Sequence, residues 1–440
     1  MKISGWGRYP VVEGREVLSE DLERSTGKAR LSRGLGRAYG DSALPPAAGE
    51  TLAGTRLADR LLAFDPATGV LRAEAGLSLA RLQDLFLHRG WSSPVAPGTE
   101  FVTVGGMVAA DVHGKNHHCK GSFGEHVRSL RMRVADGRVL EVSEASEPEL
   151  FRATLGGMGL TGHILEVEFA LERIPSPWIW QESLRVGNLD ALISALVESG
   201  REWPFTMSWL DCLAGGSSMG RGIVSRGRWA EPDEARARPP RRPFSPTLPF
   251  DLPSWLLSRL SMGLFNTGVY RAHGRRLRRG IMHPLRFFHP LDIVQQWNRA
   301  YGRRGMTQYQ SVLPTDPSGQ SYRRFFEVLA GSGEGSFLCV VKDFGPEGRG
   351  TLSFPRPGIT ASVDVPVRGE RTARLIDALN EVVLEAGGRV YLAKDAFTRP
   401  EHLRAMEGSR LETFQQIRRK WDPEGHLASA QSVRLLGDRG

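Results

Sequence analysis

The 440 residues, 40% apolar and 24% charged, have ordinary globular composition and length enough for two cores rather than one. No apolar run approaches the roughly 20 residues that span a bilayer, residues 1–8 carry no apolar signal core, and Cys119, Cys212 and Cys339 lie too far apart for a disulfide frame or zinc cluster, so a cytoplasmic protein in a reducing compartment is expected. The net charge of +9 is uneven: residues 221–304 hold 17 arginines and no lysine against five acidic residues, leaving the remainder slightly acidic.

The first 170 residues read as alternating short helices and strands rich in glycine. Residues 32–42 place Gly34, Gly36 and Gly40 within seven positions, which lets backbone N–H groups approach a phosphate without side-chain obstruction. A Rossmann reading fails, because Tyr39 occupies the third glycine position of Gly-x-Gly-x-x-Gly and Asp41-Ser42-Ala43-Leu44-Pro45 follows where a helix is required. Alone, this loop is as easily a structural turn. Residues 78–88 then predict a helix burying Leu79, Leu82, Leu85 and Phe86, capped by Ser78 and stopped at Gly90.

A second glycine-rich stretch follows: Pro97-Gly98-Thr99, Thr103-Val104-Gly105-Gly106-Met107, His113-Gly114-Lys115-Asn116-His117-His118 and Gly121-Ser122-Phe123-Gly124. Leu130, Met132 and Val134 alternate with arginines, and Asp136-Gly137 turns the chain into Val139–Val142, a hairpin signature. Ser146-Glu147-Pro148-Glu149 predicts a capping box. A third cluster, Gly156-Gly157-Met158-Gly159-Leu160-Thr161-Gly162, precedes a strand through Leu165, Val167, Phe169 and Leu171 with one wet face. Three glycine clusters able to wrap one extended diphosphate are much harder to explain as turns.

The middle changes texture. Residues 239–253 are proline-rich and basic, and Trp255, Leu256, Leu257 and Phe265 lie near Arg275, Arg276, Arg278 and Arg279. Apolar residues beside a loop are usually core, so packing on the parent domain competes with a membrane-facing reading, and the arginines also raise nucleic-acid binding. Further on, Gln308 and Gln310 at i and i+2 would leave one face of a strand with Tyr309 opposite, or simply mark a wet edge. Residues 372–386 predict an amphipathic helix stopped at Gly387-Gly388 and feeding a strand over 389–394.

These glycine segments, above all residues 113–124, resemble the FAD domain of the vanillyl-alcohol-oxidase (PCMH-type) superfamily. The likeness runs from Gly5-Trp6-Gly7-Arg8 to Arg418-Arg419-Lys420-Trp421-Asp422-Pro423 and is weakest over residues 50–60 and the basic middle. The resemblance implies an α+β fold: an FAD domain of two small α/β subdomains (1–172), a substrate domain with a large antiparallel sheet covered by helices (173–388) carrying a basic, partly apolar excursion near 235–282, and a tail (389–440) returning to the FAD domain.

It further implies that FAD is lined by Arg33, Gly34, Leu35, Gly36, Arg37, Ala38, Tyr39, Gly40 and Asp41 of the first segment. From the second come Gly98, Thr103, Val104, Gly105, Gly106, Ala110, His113, Gly114, Asn116 and Ser122, and later Gly159, Gly162, Ile164 and Tyr391. Arg37 stands where several members tether flavin through histidine, so a non-covalent cofactor is expected, with the guanidinium suited to a phosphate. Lys394, His113 and Tyr39 match catalytic positions, and Gln308, Gln310, Lys342, Ser362 and Lys394 match substrate positions. Ser362 replaces a cysteine found near the flavin in mycobacterial members. Lys394 could instead be a surface lysine paired with Asp395. No metal is expected at His113, His117 and His118, because Gly114 weakens any helix there and Lys115 repels a divalent cation.

The activity implied is oxidation of a sugar carbinol, with C2 of a polyprenylphosphoryl-β-D-ribose as substrate, an NAD(P)H-dependent reductase as partner and peripheral contact with an anionic membrane surface. The alternatives are a soluble alditol or sugar-1,4-lactone oxidase using oxygen, and a non-catalytic basic lipid- or nucleic-acid-binding protein; no nucleic-acid partner is expected.

Overall fold

The computed structural model describes residues 1–274 and 276–440. Two hydrophobic cores organise them. The first gathers buried residues from Ile3 to Leu171 and is completed by Leu403, Leu411, Phe414, Ile417, Trp421 and Leu435 of the tail. It packs a parallel sheet (Arg15–Leu18, Thr51–Gly54, Leu31–Arg33) and a five-stranded antiparallel sheet in the order Val139–Ser143, Val127–Arg133, His163–Ala170, Val70–Glu74, Leu61–Asp65. The expected hairpin pairs Val139 with Arg133, and Gly137 turns it at φ +91°. From Leu165 to Ala170 the strand His163–Ala170 alternates buried and half-buried positions, because one pleat face meets the core.

The second core lies on one face of a sheet whose strand order, among the described residues, is Leu277–Met282, Ile179–Val186, Gly222–Trp229, Phe205–Leu210, Cys339–Phe344, Gly358–Pro366, Met306–Pro314, Arg389–Val390, with antiparallel neighbours throughout. Helices Leu189–Glu202, Gln320–Ser332 and Glu370–Glu385 bury Leu192, Leu196, Phe325, Leu329, Leu379 and Val383 against Val341, Ala361 and Val363 of the sheet. The opposite face of the last strands is left for the functional site.

Three local expectations are corrected. The capping box does not form: Glu147, at φ 57°, is the N-cap without a side-chain bond, and Pro148 starts the helix. The strand predicted over 389–394 stops at Val390, because a 3₁₀ turn at Leu392–Lys394 directs the chain inward. The last part of the basic excursion is an edge strand, Leu277–Met282, paired residue for residue with Ile179–Leu184. There Arg279 pairs with Glu182 at 2.7 Å and Arg278 donates to the Ala272 carbonyl at 2.7 Å, so part of the cationic cluster is already neutralised; Arg275 lies outside the described residues.

The tail is tied to the first glycine segment by charge. Arg434 donates to both oxygens of Asp41 at 2.8 Å and to Asp395 at 2.7 Å. Both carboxylates are buried, so the forked guanidinium satisfies acceptors that would otherwise be stranded.

Candidate active site

The three glycine clusters and the free sheet face enclose one cavity of about 1910 Å³ of unfilled space, its mouth included. Gly34, Leu35, Gly36, Arg37, Ala38 and Tyr39 form one wall; Gly98, Thr103, Gly105, Gly106, Ala110, His113 and Gly114 a second; and Gly159, Gly162, Ile164 and Tyr391 the rear. Gln308, Gln310, Lys342, Ser362 and Lys394 close the end formed by the sheet.

Other residues named from the sequence build the frame rather than the wall. Arg33 donates to the carbonyls of Ala43 and Ser4, and Val104 is core. Gly40 packs against the backbone of Asp395, Asn116 donates to the Pro94 carbonyl, and Ser122 donates to Asp111, while Asp41 holds Arg434.

The walls fit a dinucleotide. Gly98 is exposed at the edge of the cavity, with no atom beyond its chain neighbours within 4 Å of where a Cβ would stand, so a side chain there would occupy open space at the cavity mouth. Thr103 caps the helix Val104–Ala109 by accepting from Gly106 N at 3.2 Å, and Gly105 N donates to the Ala75 carbonyl at 2.9 Å, so the turn meets the cavity with two bare glycine positions that let a ligand come close to the backbone. Gly36 takes the left-handed conformation at φ +64°, where a side chain would be strained. Arg37 lies 3.9 Å from the Trp6 ring centre and 4.9 Å from that of Phe101, with its Nε buried and unpartnered among the described residues. That open donor suits an anionic ligand.

At the sheet end, strand register sets the chemistry. Gln308 stands opposite Asp364 and Gln310 opposite Ser362, while Lys342 stands opposite Thr360. Period-2 alternation therefore gathers Gln308, Gln310, Lys342, Thr360, Ser362 and Asp364 on one face. Tyr309 points the other way and donates to Asn380 at 2.9 Å.

Lys394 is no surface lysine. Its Nζ donates to Gln308 Oε1 and lies 4.5 Å from the Tyr39 ring centre, while neighbouring Asp395 is taken by Arg434. Burial pulls the Lys394 ammonium below the usual lysine range, and Asp364 beyond Gln308 pulls it back up.

His113 is held between two nitrogens: Gln310 Nε2 lies 3.0 Å from its Nε2 and Lys342 Nζ 3.0 Å from its Nδ1. Gln310 Nε2 also donates to Thr360 Oγ1 at 3.1 Å. Its second proton makes His113 Nε2 the acceptor, which assigns the ring proton to Nδ1, facing the Lys342 amine. Burial, and then the charge of Lys342, hold His113 well below its ordinary value; burial, and then Lys115 and Lys394, push Lys342 well down. A neutral ring donating to a free amine satisfies every one of these groups.

Three residues that the sequence did not single out belong here. Asp364, fully buried, accepts from Gln308 Nε2 and from Tyr301 OH at 3.0 Å. Its only sequence signal is a lone charge in a strand whose other residues are uncharged. Lys115 borders the cavity and donates to the Phe288 carbonyl at 2.7 Å, with burial pushing it down to about 7. Asp292 borders the cavity near Arg37 and accepts from Thr99 at 3.0 Å and Glu100 N at 2.8 Å.

A family model described as an FAD binding domain matches residues 24–143. The glycine-walled cavity with half-buried amines at one end is thus that of an FAD-dependent oxidoreductase acting on an alcohol group. The chain is 36% identical to decaprenylphosphoryl-beta-D-ribose oxidase of Mycolicibacterium smegmatis, over 99% of this chain and 97% of that one, and belongs to the PCMH-type vanillyl-alcohol-oxidase superfamily. Shorter matches include D-lactate dehydrogenase of Archaeoglobus fulgidus, 34% identical over 25% of this chain and 24% of that one, and L-gulonolactone oxidase of Bos taurus, 30% identical over 30% and 31%. FAD is the cofactor, and the chain is an FAD-dependent sugar oxidase.

Proposed function

We propose that the chain oxidises C2 of a polyprenylphosphoryl-β-D-ribose to the 2′-ketone, with FAD held non-covalently. The observation that carries this reading is the half-buried lysine at the sheet end of the cavity, in a chain similar along nearly its whole length to a decaprenylphosphoryl-beta-D-ribose oxidase. Arg37 cannot form the tether that histidine provides, and its Nε is free for an anionic part of the cofactor. When bound, FAD supplies the acceptor for the hydride that leaves C2.

The chain's own groups divide the remaining work. Lys342, a free amine whose lone pair accepts from His113 Nδ1–H, turns from that bond to take the proton of the C2 hydroxyl; His113, neutral and fixed by Gln310, holds the amine unprotonated until then. The Lys394 ammonium supports negative charge developing at its end of the cavity. Tyr39 lies under that ammonium, and Gln308, Gln310 and Ser362 supply polar contacts for the sugar.

A lipid-linked substrate stays at a membrane, and no helix among the described residues is long and apolar enough to cross one. Exposed Trp255, Leu260, Leu264 and Phe265 beside Arg259 suit peripheral contact with an anionic surface. The ketone then calls for an NAD(P)H-dependent reductase as partner. The partial match to L-gulonolactone oxidase favours a soluble sugar lactone or polyol as the second reading.

Anaerobic flavin bleaching separates the two. Polyprenylphosphoryl ribose should bleach the flavin fully while free polyols and lactones leave it oxidised. Bleaching by a polyol or lactone alone would replace the lipid-linked substrate with the second reading.

A further inference from the structure

Asp364 is a buried carboxylate with no cation touching it among the described residues. Its Oδ1 accepts from Gln308 Nε2, its Oδ2 from Tyr301 OH at 3.0 Å, and its backbone N–H donates to the Leu338 carbonyl at 3.1 Å. Tyr301 OH also meets Ser336 Oγ at 2.8 Å. Two neutral donors are a thin shell for a charge removed from water. The nearest opposite charge is Lys394, on the far side of the same glutamine.

The amide between them can satisfy both neighbours in one orientation only. Its NH₂ must face the carboxylate and its carbonyl oxygen the ammonium; the flipped amide would set oxygen against oxygen and nitrogen against nitrogen. We propose that Asp364 is a positioning residue for the oxidation: through Gln308 it is the counter-ion that keeps Lys394 charged and fixes which end of the Gln308 amide faces the cavity lysine. This rests on the role given to Lys394 above.

The other groups around the pair do not supply that charge. Near Asp364 stand the phenols of Tyr301 and Tyr39 and the thiols of Cys212 and Cys339, all of which burial holds in their protonated forms. Near Lys394 stand Tyr39, Lys342 and His113, and the last two oppose a second positive charge. Among the described residues Asp364 is thus the anionic group linked to Lys394, through Gln308.

The chain has seven lysines, few enough for [¹³Cε]lysine NMR of the FAD-loaded protein, with the Lys394 resonance assigned by K394R. In D364N the Lys394 titration midpoint should fall by about one pH unit, a tenfold loss of ammonium above the midpoint, and D364E should restore it. Should D364N not fold, Q308M breaks the link while leaving the carboxylate and should lower the same midpoint. A midpoint unchanged in the folded variant overturns the proposal. The pH profile of anaerobic flavin reduction should move with the midpoint. A shifted midpoint with an unmoved profile keeps the Asp364 link and removes the role assigned to Lys394.

Discussion

Gly34→Ala is a small change with a calculable effect. A Cβ at Gly34 would stand 2.4 Å from Thr103 Oγ1 and 3.2 Å from its Cγ2, so Thr103 must turn away. Thr103 Oγ1 is the cap of Val104–Ala109, accepting from Gly106 N at 3.2 Å. Loss of such a cap costs about 1 kcal/mol. The same movement disturbs the Gly105-Gly106 turn beside the cavity, so FAD affinity should weaken about tenfold, equivalent to about 1.4 kcal/mol. Flavin fluorescence quenching on the FAD-stripped protein reads the affinity, and thermal unfolding reads the cap. Thr103→Ala removes both the cap and the obstruction, since the Cβ of residue 103 would lie at an ordinary 3.4 Å. Gly34→Ala should therefore add almost nothing in the Thr103→Ala background. An equal loss in both backgrounds, or wild-type FAD affinity in G34A alone, would refute the packing argument.

R434M strands Asp41 and Asp395, whose side chains are 4% and 5% exposed, and should cost roughly 3–5 kcal/mol by urea unfolding, with the tail loosened first in hydrogen exchange. His118 supplies a pH dependence: burial alone would lower it, but Cys119, Asp343 at 3.6 Å and the Trp203 carbonyl raise it to about 8. Because that lies above the ordinary 6.5, its contribution to stability is complete below pH 6.5 and is lost as the pH climbs through 8. Thermal melts across that window should show a shallower slope in D343N, since the Cys119 and Trp203 contacts remain. Ser362 offers no thiol to the cavity, so a cavity-seeking thiol-directed electrophile should leave residue 362 unmodified and should label S362C, as read by peptide mass spectrometry.

What the sequence made legible was local periodicity and backbone chemistry. Gln308 and Gln310 were readable because alternation in a strand needs no knowledge of its neighbours, and the glycines because so few residues permit close backbone approach. The convergence of three distant clusters could be inferred from their number, whereas their geometry could not. Asp364 escaped because its meaning depends on register: it becomes a partner only when Gly358–Pro366 pairs with Met306–Pro314 and sets it across from Gln308. Arg434 and Asp41 lie 393 residues apart, beyond any local pattern. The predicted strand over 389–394 failed for the opposite reason: its apolar residues suit a strand, but Tyr391 donates to the Ala110 carbonyl and Lys394 reaches Gln308, so tertiary contacts override local preference. The cationic cluster that reads as a local run also depends on a distant partner, since Arg279 pairs with Glu182 across the edge strands.

The central claim, that the glycine-walled cavity is where FAD sits, is tested most directly by Gly98→Leu. Its side chain would project into open space at the cavity mouth, so the folded FAD-stripped protein should melt as the wild type does, yet take up no FAD and stay colourless on reconstitution. A folded G98L protein that binds FAD with wild-type affinity would place the cofactor elsewhere and contradict the account.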